Sequence, residues 1–410
     1  MPGRAPLTEP TTPSDRSRGG RGLGTRAVHP PVPPPQGGEP VIPVIDQAST
    51  YSFASSDEFA RASADKVGSG YVYTRWANPT TDAFAAAVAD LEGTEQAEAF
   101  SSGMAAISAA FLALCSPGDR VVSARQLYGG THALTSGILP RFGIETTLCD
   151  VDDLDAIKAA LQGAKLFYCE TIGNPAIRVA NLPRLGEIAE DAGVPMVVDN
   201  TFASPILCRP AEHGASIVVH SATKYIGGHH DLIGGVMCTD ASTMATVREW
   251  TRELGPTLSP FNAWLAIRGI ATMPLRVERS SSTALTVATA LEANEGIERV
   301  FYPALESSPD KELCDRLLGG RGGGTLAFEV RGGKQRAARF QEALQLIQAA
   351  ASLGGSHSLL VHAASVTHTQ LGPDELAAVG ISEGFCRLSI GLEDADDLIA
   401  DLDHAVATTG

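Results

Sequence analysis

The strongest chemical signal in this chain comes from a lysine and an aspartate twenty-five residues apart, each following an apolar run. Ala215-Ser-Ile-Val-Val-His-Ser-Ala-Thr-Lys-Tyr-Ile-Gly-Gly reads as a short strand that stops at His220. A hydroxyl-rich turn with Ser221 and Thr223 then leads to Lys224 and a Gly-Gly exit. The earlier run, Val194-Pro-Met-Val-Val, ends in Asp199. Residues that end buried strands face the same rim of an α/β sheet, where ligands bind. An amine that can condense with an aldehyde, opposed by a carboxylate that can hold a pyridinium nitrogen, is the pair that pyridoxal 5'-phosphate (PLP) chemistry needs.

Other residues fit the same rim. Ser101-Ser-Gly-Met-Ala-Ala-Ile-Ser-Ala-Ala-Phe-Leu opens with two hydroxyls and Gly103 before turning into an apolar helix. A helix N-terminus of this kind either binds phosphate or is simply capped. Ser221 and Thr223, just before the lysine, can reach the same anion. Tyr128 lies in a turn after a strand, where an aromatic ring either stacks on a flat ligand or packs half-buried. Asn174 lies in Glu170-Thr-Ile-Gly-Asn-Pro, again past a strand's end. Arg387 sits inside the apolar strand Gly384-Phe-Cys-Arg-Leu-Ser-Ile-Gly, where it needs an anion: a substrate carboxylate or a structural partner. His229, His230 and Asp231 lack metal-ligand spacing and a further ligand, so no metal site is expected.

The elements that must position these groups alternate. Helical patterns cover Asp82–Leu91, Gly103–Leu114 and Leu182–Ala192. Strand-like runs cover Arg120–Ser123, Leu166–Cys169, Val194–Val198 and Ile217–Val219. Such alternation gives an α/β fold with a mostly parallel sheet. A long helical region follows Asp240 through Glu292. Strands at Thr325–Val330 and Phe385–Ile390, with a helix at Lys334–Ala349, suit a smaller C-terminal α+β domain. The Gly-rich patch Gly319–Gly324 reads as a loop. The expected organisation is a disordered tail over 1–40, an aromatic-rich arm over 41–80, a cofactor domain over 81–258 and a C-terminal domain over 259–410.

The chain has 410 residues, 44% of them hydrophobic, and 31 Lys+Arg against 47 Asp+Glu for a formal charge of -16. That balance argues against a nucleic-acid partner, since it offers no net positive field to displace counterions. No apolar stretch reaches membrane-spanning length. The 7 scattered cysteines, with no C-x-x-C pair, read as reduced thiols of a cytoplasmic protein.

Taken together, Tyr71-Val-Tyr-Thr-Arg-Trp-Ala-Asn-Pro-Thr, Ser101-Ser-Gly-Met, Tyr128-Gly-Gly-Thr, Val198-Asp-Asn-Thr-Phe, Ser221-Ala-Thr-Lys-Tyr, Ser352-Leu-Gly-Gly and Arg387-Leu-Ser-Ile-Gly resemble the Cys/Met-metabolism (transsulfuration) family of PLP-dependent enzymes. The resemblance implies the aspartate-aminotransferase-type fold (fold type I) and a homotetramer built from tight dimers. It implies that Lys224 holds the cofactor and shuttles protons, that Asp199 pairs with the pyridine nitrogen, and that Tyr128 stacks on the ring as a second catalytic group. Gly103, Met104, Ser221 and Thr223 would hold the phosphate, and Tyr73 and Arg75 would reach the phosphate of the neighbouring subunit. Asn174, Ser352, Arg387 and Thr367 would bind the amino-acid substrate. The implied reaction is γ-elimination from a sulfur amino acid, of the cystathionine or methionine γ-lyase type, giving 2-oxobutyrate, ammonia and a thiol. Gly130 stands where many methionine γ-lyases carry cysteine, and His357 where cystathionine-handling members carry glutamate. Val361-His-Ala-Ala-Ser-Val-Thr-His-Thr-Gln-Leu is similar to sulfhydrylases. The alternative is therefore γ-replacement on an O-acylhomoserine, and a remote alternative is a non-catalytic binding protein on the same fold.

Overall fold

The computed structural model describes residues 22–29, 40–64, 70–362, 366 and 382–410. Two sheets organise them. The first contains β1 (Gln96–Phe100), β2 (Arg120–Ala124), β3 (Glu145–Cys149), β4 (Leu166–Glu170), β5 (Met196–Asp199), β6 (Ile217–Ser221) and β7 (Gly235–Thr239). Their spatial order is β1-β7-β6-β5-β4-β2-β3, and the run from β6 to β3 is parallel. β7 runs antiparallel to both β6 and β1. The central strands β4 and β5 are buried at every residue, which is why they read as continuous apolar runs rather than alternating ones. The carboxyl ends of β4, β5 and β6 place Glu170, Asp199 and Ser221 along one rim.

The second sheet contains β8 (Ile297–Phe301), β9 (Thr325–Val330), β10 (Gln348–Ala349), β11 (Leu359–His362) and β12 (Phe385–Ser389). Its order is β10-β11-β12-β9-β8, antiparallel except for the β10–β11 pair. The helix expected over Lys334–Ala349 ends at Ala343. Its continuation is captured by Asp401, whose carboxylate accepts the N–H groups of Gln345, Leu346 and Ile347 at 2.7, 3.0 and 2.9 Å. A distant side chain thereby overrides local helix propensity. Within the stretch read as a solvated tail, a helical turn, Leu23–Val28, packs against the helix Pro79–Glu92 and the long helix Pro260–Glu292. Ala27 is buried there and Arg26 pairs with Asp90 at 2.8 Å.

The Gly-rich patch is a packing device. The Tyr302 hydroxyl donates to the Gly323 carbonyl at 2.8 Å, and a Cβ on Gly322 would lie 2.6 Å from the Tyr302 ring. The long helix approaches the turn after Lys224 in a similar way. Buried Arg276 donates to the carbonyls of Tyr225, Gly269 and Ile226, and a Cβ at Gly269 would meet the Ile226 carbonyl at 2.3 Å. Gly269→Ala is therefore expected to cost about 1–3 kcal/mol, since the obstacle is backbone and cannot rotate away. Gly137→Ala, at an exposed position with nothing within 4 Å, is expected to be neutral or slightly stabilising. Thermal melts of the two variants decide the matter, and equal melting temperatures would contradict the packing argument. All 7 cysteines are buried and unpaired. Among the described residues no helix is long and apolar enough to cross a membrane, and no His/Cys/Asp/Glu cluster could hold a metal ion.

Candidate active site

Lys224 lies in the turn directly after β6. Its backbone N–H donates to the Ser221 carbonyl at 3.1 Å and its carbonyl accepts from Gly228 at 2.8 Å. Its amine donates to the Ser352 hydroxyl at 2.8 Å. Burial, and then the neighbouring Arg387 charge, pull the Lys224 ammonium down to about 8. Ser352 itself has φ +96°, a costly conformation for a residue with a Cβ. The following Gly354 donates to Ser389 at 3.0 Å and leaves no room for a side chain against Tyr225. The loop is held in that shape from both sides.

Arg387 comes from β12, on the second sheet, and is buried. It donates to Asn174 Oδ1 at 2.9 Å and to the Ser352 carbonyl at 3.2 Å. Among the described residues its hydrogen bonds go to these two neutral oxygens and no carboxylate pairs with it. Burial lowers its guanidinium to about 10. A cation desolvated without a counter-ion is poised for an incoming anion. Among the described residues no structural ion pair is found for Arg387.

Asp199 ends β5. Its carboxylate accepts from Thr201 N at 3.0 Å and from the Tyr168 hydroxyl at 3.3 Å. The Thr201 hydroxyl accepts from Ser221 N at 2.8 Å, so the ends of β5 and β6 are tied together. Beside Asp199 in register stands Glu170. Its two oxygens accept from Tyr128 N at 2.7 Å and Asn174 N at 3.2 Å, fixing both backbones. Burial, and then the neighbouring Asp199, push the Glu170 carboxyl well above the usual range. Tyr128 leaves about half of its surface exposed at the mouth. A Cβ on Gly130 would come within 2.5 Å of its ring and 3.1 Å of the Met104 sulfur, so ring, glycine and Met104 share one wall.

The helix Gly103–Leu114 starts against this wall. Ser102 caps it by accepting from Ala105 N at 3.1 Å, while the Gly103 and Met104 N–H groups have no intrahelical acceptor. A Cβ at Gly103 would fall 2.7 Å from that of Ser221, so the helix end and the Ser221–Thr223 turn close on each other only because residue 103 has no side chain. Thr223 Oγ1 accepts from Gly234 N at 3.1 Å.

Tyr73 and Arg75 are not brought to this cluster within one chain. Thr50 and Tyr73 form a bridge, and Arg75 donates to the Arg252 carbonyl and lies 5.7 Å from the Tyr73 ring centroid. Thr367 lies outside the described residues. Sequence reasoning passed over Glu170, Thr201 and His220, although Glu170 ends β4 and His220 lies one residue from the end of β6, the signal that singled out Asp199.

A half-buried amine of lowered basicity, a buried carboxylate and a glycine-dependent cradle at a helix start define a lysine-anchored aldehyde-cofactor enzyme. The chain belongs to the Cys/Met metabolism PLP-dependent enzymes, whose family model matches residues 24–407. It is 40% identical over 360 residues to an O-succinylhomoserine sulfhydrylase of Pseudomonas aeruginosa, covering 88% of this chain and 89% of the relative. It is 39% identical over 388 residues to an L-methionine gamma-lyase of Pseudomonas putida, covering 94% and 97%. Among solved structures, a putative O-acetylhomoserine (thiol)-lyase of Campylobacter jejuni containing pyridoxyl-lysine monophosphate superposes with a TM-score of 0.90 at 33% identity, covering 94% of this chain and 99% of that one. The architecture is the aspartate-aminotransferase-type fold of PLP-dependent enzymes, and the residues described fit that cofactor.

Proposed function

We propose that the protein catalyses γ-elimination on a sulfur amino acid, with Lys224 as the anchoring and proton-moving group. The observation that carries this reading is the contact of the Lys224 amine with Ser352, beside an Arg387 that has no carboxylate partner among the described residues. PLP, when bound, supplies an electron sink that lets protons leave the α- and β-carbons of an amino acid and lets a γ-substituent depart. The chain's own groups do the rest. Arg387 receives the α-carboxylate, with Asn174 and the Ser352 carbonyl holding the guanidinium in place. Lys224, only weakly basic here, takes the α-proton and redelivers it, and the Ser352 hydroxyl receives the amine between transfers. Tyr128, half-exposed at the mouth, would stack on the ring with its hydroxyl near the reacting carbons. Asp199 holds the pyridine nitrogen. Gly103, Met104, Ser221 and Thr223 would receive the phosphate.

A second reading is γ-replacement on an O-acylhomoserine. Gly130 favours it: a Cβ there would lie 2.5 Å from the Tyr128 ring and 3.1 Å from the Met104 sulfur, so the cysteine carried by many methionine γ-lyases would require the Tyr128 ring to move. A panel of cystathionine, methionine, O-acetylhomoserine and O-succinylhomoserine, with and without sulfide or cysteine, separates the two readings. Oxo acid from cystathionine or methionine supports elimination. Product only from an O-acylhomoserine plus a thiol makes the protein a γ-replacement enzyme. Pyruvate from cysteine alone would overturn both.

We propose an assembly from Tyr73 and Arg75, for which no contact with their own Lys224 cluster is found among the described residues. They serve the phosphate of a partner in a dimer-based homotetramer, which we place in the cytoplasm. Arg75→Ala is then expected to loosen cofactor binding about tenfold or more, the scale of one charge-assisted hydrogen bond. Mixed dimers of Arg75→Ala and Lys224→Ala chains should regain activity, since one composite site per dimer is intact. Inactive mixed dimers would contradict shared sites.

A further inference from the structure

The groups around Arg387 come from both sheets, and one ion pair ties the two sides together. Between β4 and the helix Leu182–Asp191 the chain makes a tight hairpin. Ile172 bridges Val179, Gly173 N donates to the Arg178 carbonyl at 2.8 Å, and Ile177 N donates to the Gly173 carbonyl at 2.9 Å. Asn174 lies at the turn. Glu170 accepts its N–H at 3.2 Å, and its Oδ1 accepts from Arg387 at 2.9 Å. The hairpin therefore carries one of the two oxygens that hold the guanidinium.

The same hairpin is gripped by buried Asp310, which lies between β8 and β9 of the second sheet. Asp310 Oδ2 accepts from Arg178 Nε at 2.8 Å and from Val179 N at 3.1 Å, and Oδ1 accepts from Arg178 Nη2 at 3.1 Å. A guanidinium only donates, so the roles in this contact are fixed, and its two parallel bonds set orientation as well as distance. Asp310 is also the N-cap residue of the helix Lys311–Leu318, yet its side chain makes no capping bond there. An interaction worth about 1 kcal/mol is thereby forgone in favour of the hairpin. On its outer side Arg178 meets exposed Asp152 at 2.7 Å.

We propose that the Arg178–Asp310 pair is a positioning latch that holds the hairpin against the second sheet, so that Asn174 meets Arg387 and turns its guanidinium to receive the substrate α-carboxylate. Arg178 and Asp310 act through Asn174 and are positioning residues. This rests on the reading of Arg387 as the receiver of that carboxylate. With the latch released, the hairpin keeps its tie to the first sheet through Glu170 and loses its charged tie to the second. Lys224, Asp199 and Gly103 stand on other segments, so the carboxylate site loosens while the cofactor site stays intact.

The test uses the PLP-loaded enzyme with the amino acid from the panel above that it turns over, and glycine as a carboxylate probe read by the change in visible absorbance. Arg178→Met keeps the stem and removes the fork. KM and the glycine midpoint should both rise roughly fivefold or more, the scale of coupling within one hydrogen-bond network, with kcat within about twofold and PLP uptake as in wild type. Asp310→Asn should give the same split. Arg178→Lys, which keeps the charge and loses the fork, should fall between. Asp152→Asn removes only the exposed contact and should leave KM within about twofold. In an Asn174→Ala background Arg178→Met should add less than about twofold, because the group it positions is gone. The proposal is overturned by a wild-type KM in Arg178→Met and Asp310→Asn, by a loss confined to kcat or PLP uptake, by full additivity with Asn174→Ala, or by an equal effect of Asp152→Asn. If neither Arg178→Met nor Asp310→Asn folds, Arg178→Lys decides: a raised KM at unchanged kcat supports the latch and a wild-type KM overturns it. An unchanged KM in Arg387→Ala would defeat the functional reading, whereas a raised KM there beside a wild-type KM in Arg178→Met would defeat only this inference.

Discussion

Lys224→Ala is expected to abolish turnover, with a loss of about 10⁴-fold or more, because anchoring and proton transfer both depend on this one amine. The visible absorbance that borohydride bleaches in the wild-type protein should be missing, and the reduced wild-type adduct should map to Lys224. The cofactor-free protein gives an independent check. With Lys224 lowered to about 8, roughly half of its amine is uncharged at pH 8, against under about 1% for an ordinary lysine. Mild reductive methylation at that pH should therefore mark Lys224 first. The fold should survive the substitution, since the Lys224 side chain has only the Ser352 hydroxyl as hydrogen-bond partner among the described residues. A variant that keeps activity within tenfold of wild type, or labelling spread evenly over exposed lysines, would refute the role given to Lys224.

What the sequence made legible here was chemistry attached to strand ends. Lys224 and Asp199 stood out because β5 and β6 are central and buried, so an apolar run that stops at a charged residue is hard to miss. The start of the Gly103 helix was legible for a related reason, a hydroxyl and a glycine at the head of a fully apolar segment. The edge strands of the first sheet were not, although β9 and β12 of the antiparallel sheet were. β3 reads Glu-Thr-Thr-Leu-Cys and is only half buried, so neither alternation nor continuity marks it. The overrun of the helix at Lys334 had a different cause, the capture of three N–H groups by Asp401 from more than fifty residues away. Non-local pairing was harder still. Glu92 looks like an ordinary helix end and His220 like a strand residue, and only the folded chain puts them 2.6 Å apart beside Asp199.

Arg387→Ala should raise KM for the amino-acid substrate about 10- to 150-fold, the equivalent of a charge-assisted hydrogen bond worth about 1.5–3 kcal/mol. Among the described residues the hydrogen bonds of Arg387 both go to neutral oxygens, so its removal deletes a binding charge without orphaning a described acid. Cofactor loading at Lys224 should persist. Arg387→Lys keeps the charge and loses the planar fork, so it should fall between alanine and wild type. The pH profile supplies a second signature. Burial and the Arg387 charge both pull the Lys224 ammonium down, and removing Arg387 cancels the second effect. The basicity of Lys224 in the cofactor-free alanine variant should rise, and its selective methylation should need higher pH. A KM unchanged within twofold would contradict carboxylate binding at Arg387. A KM that rises while the labelling pH of Lys224 stays fixed would mean that the two charges do not feel each other.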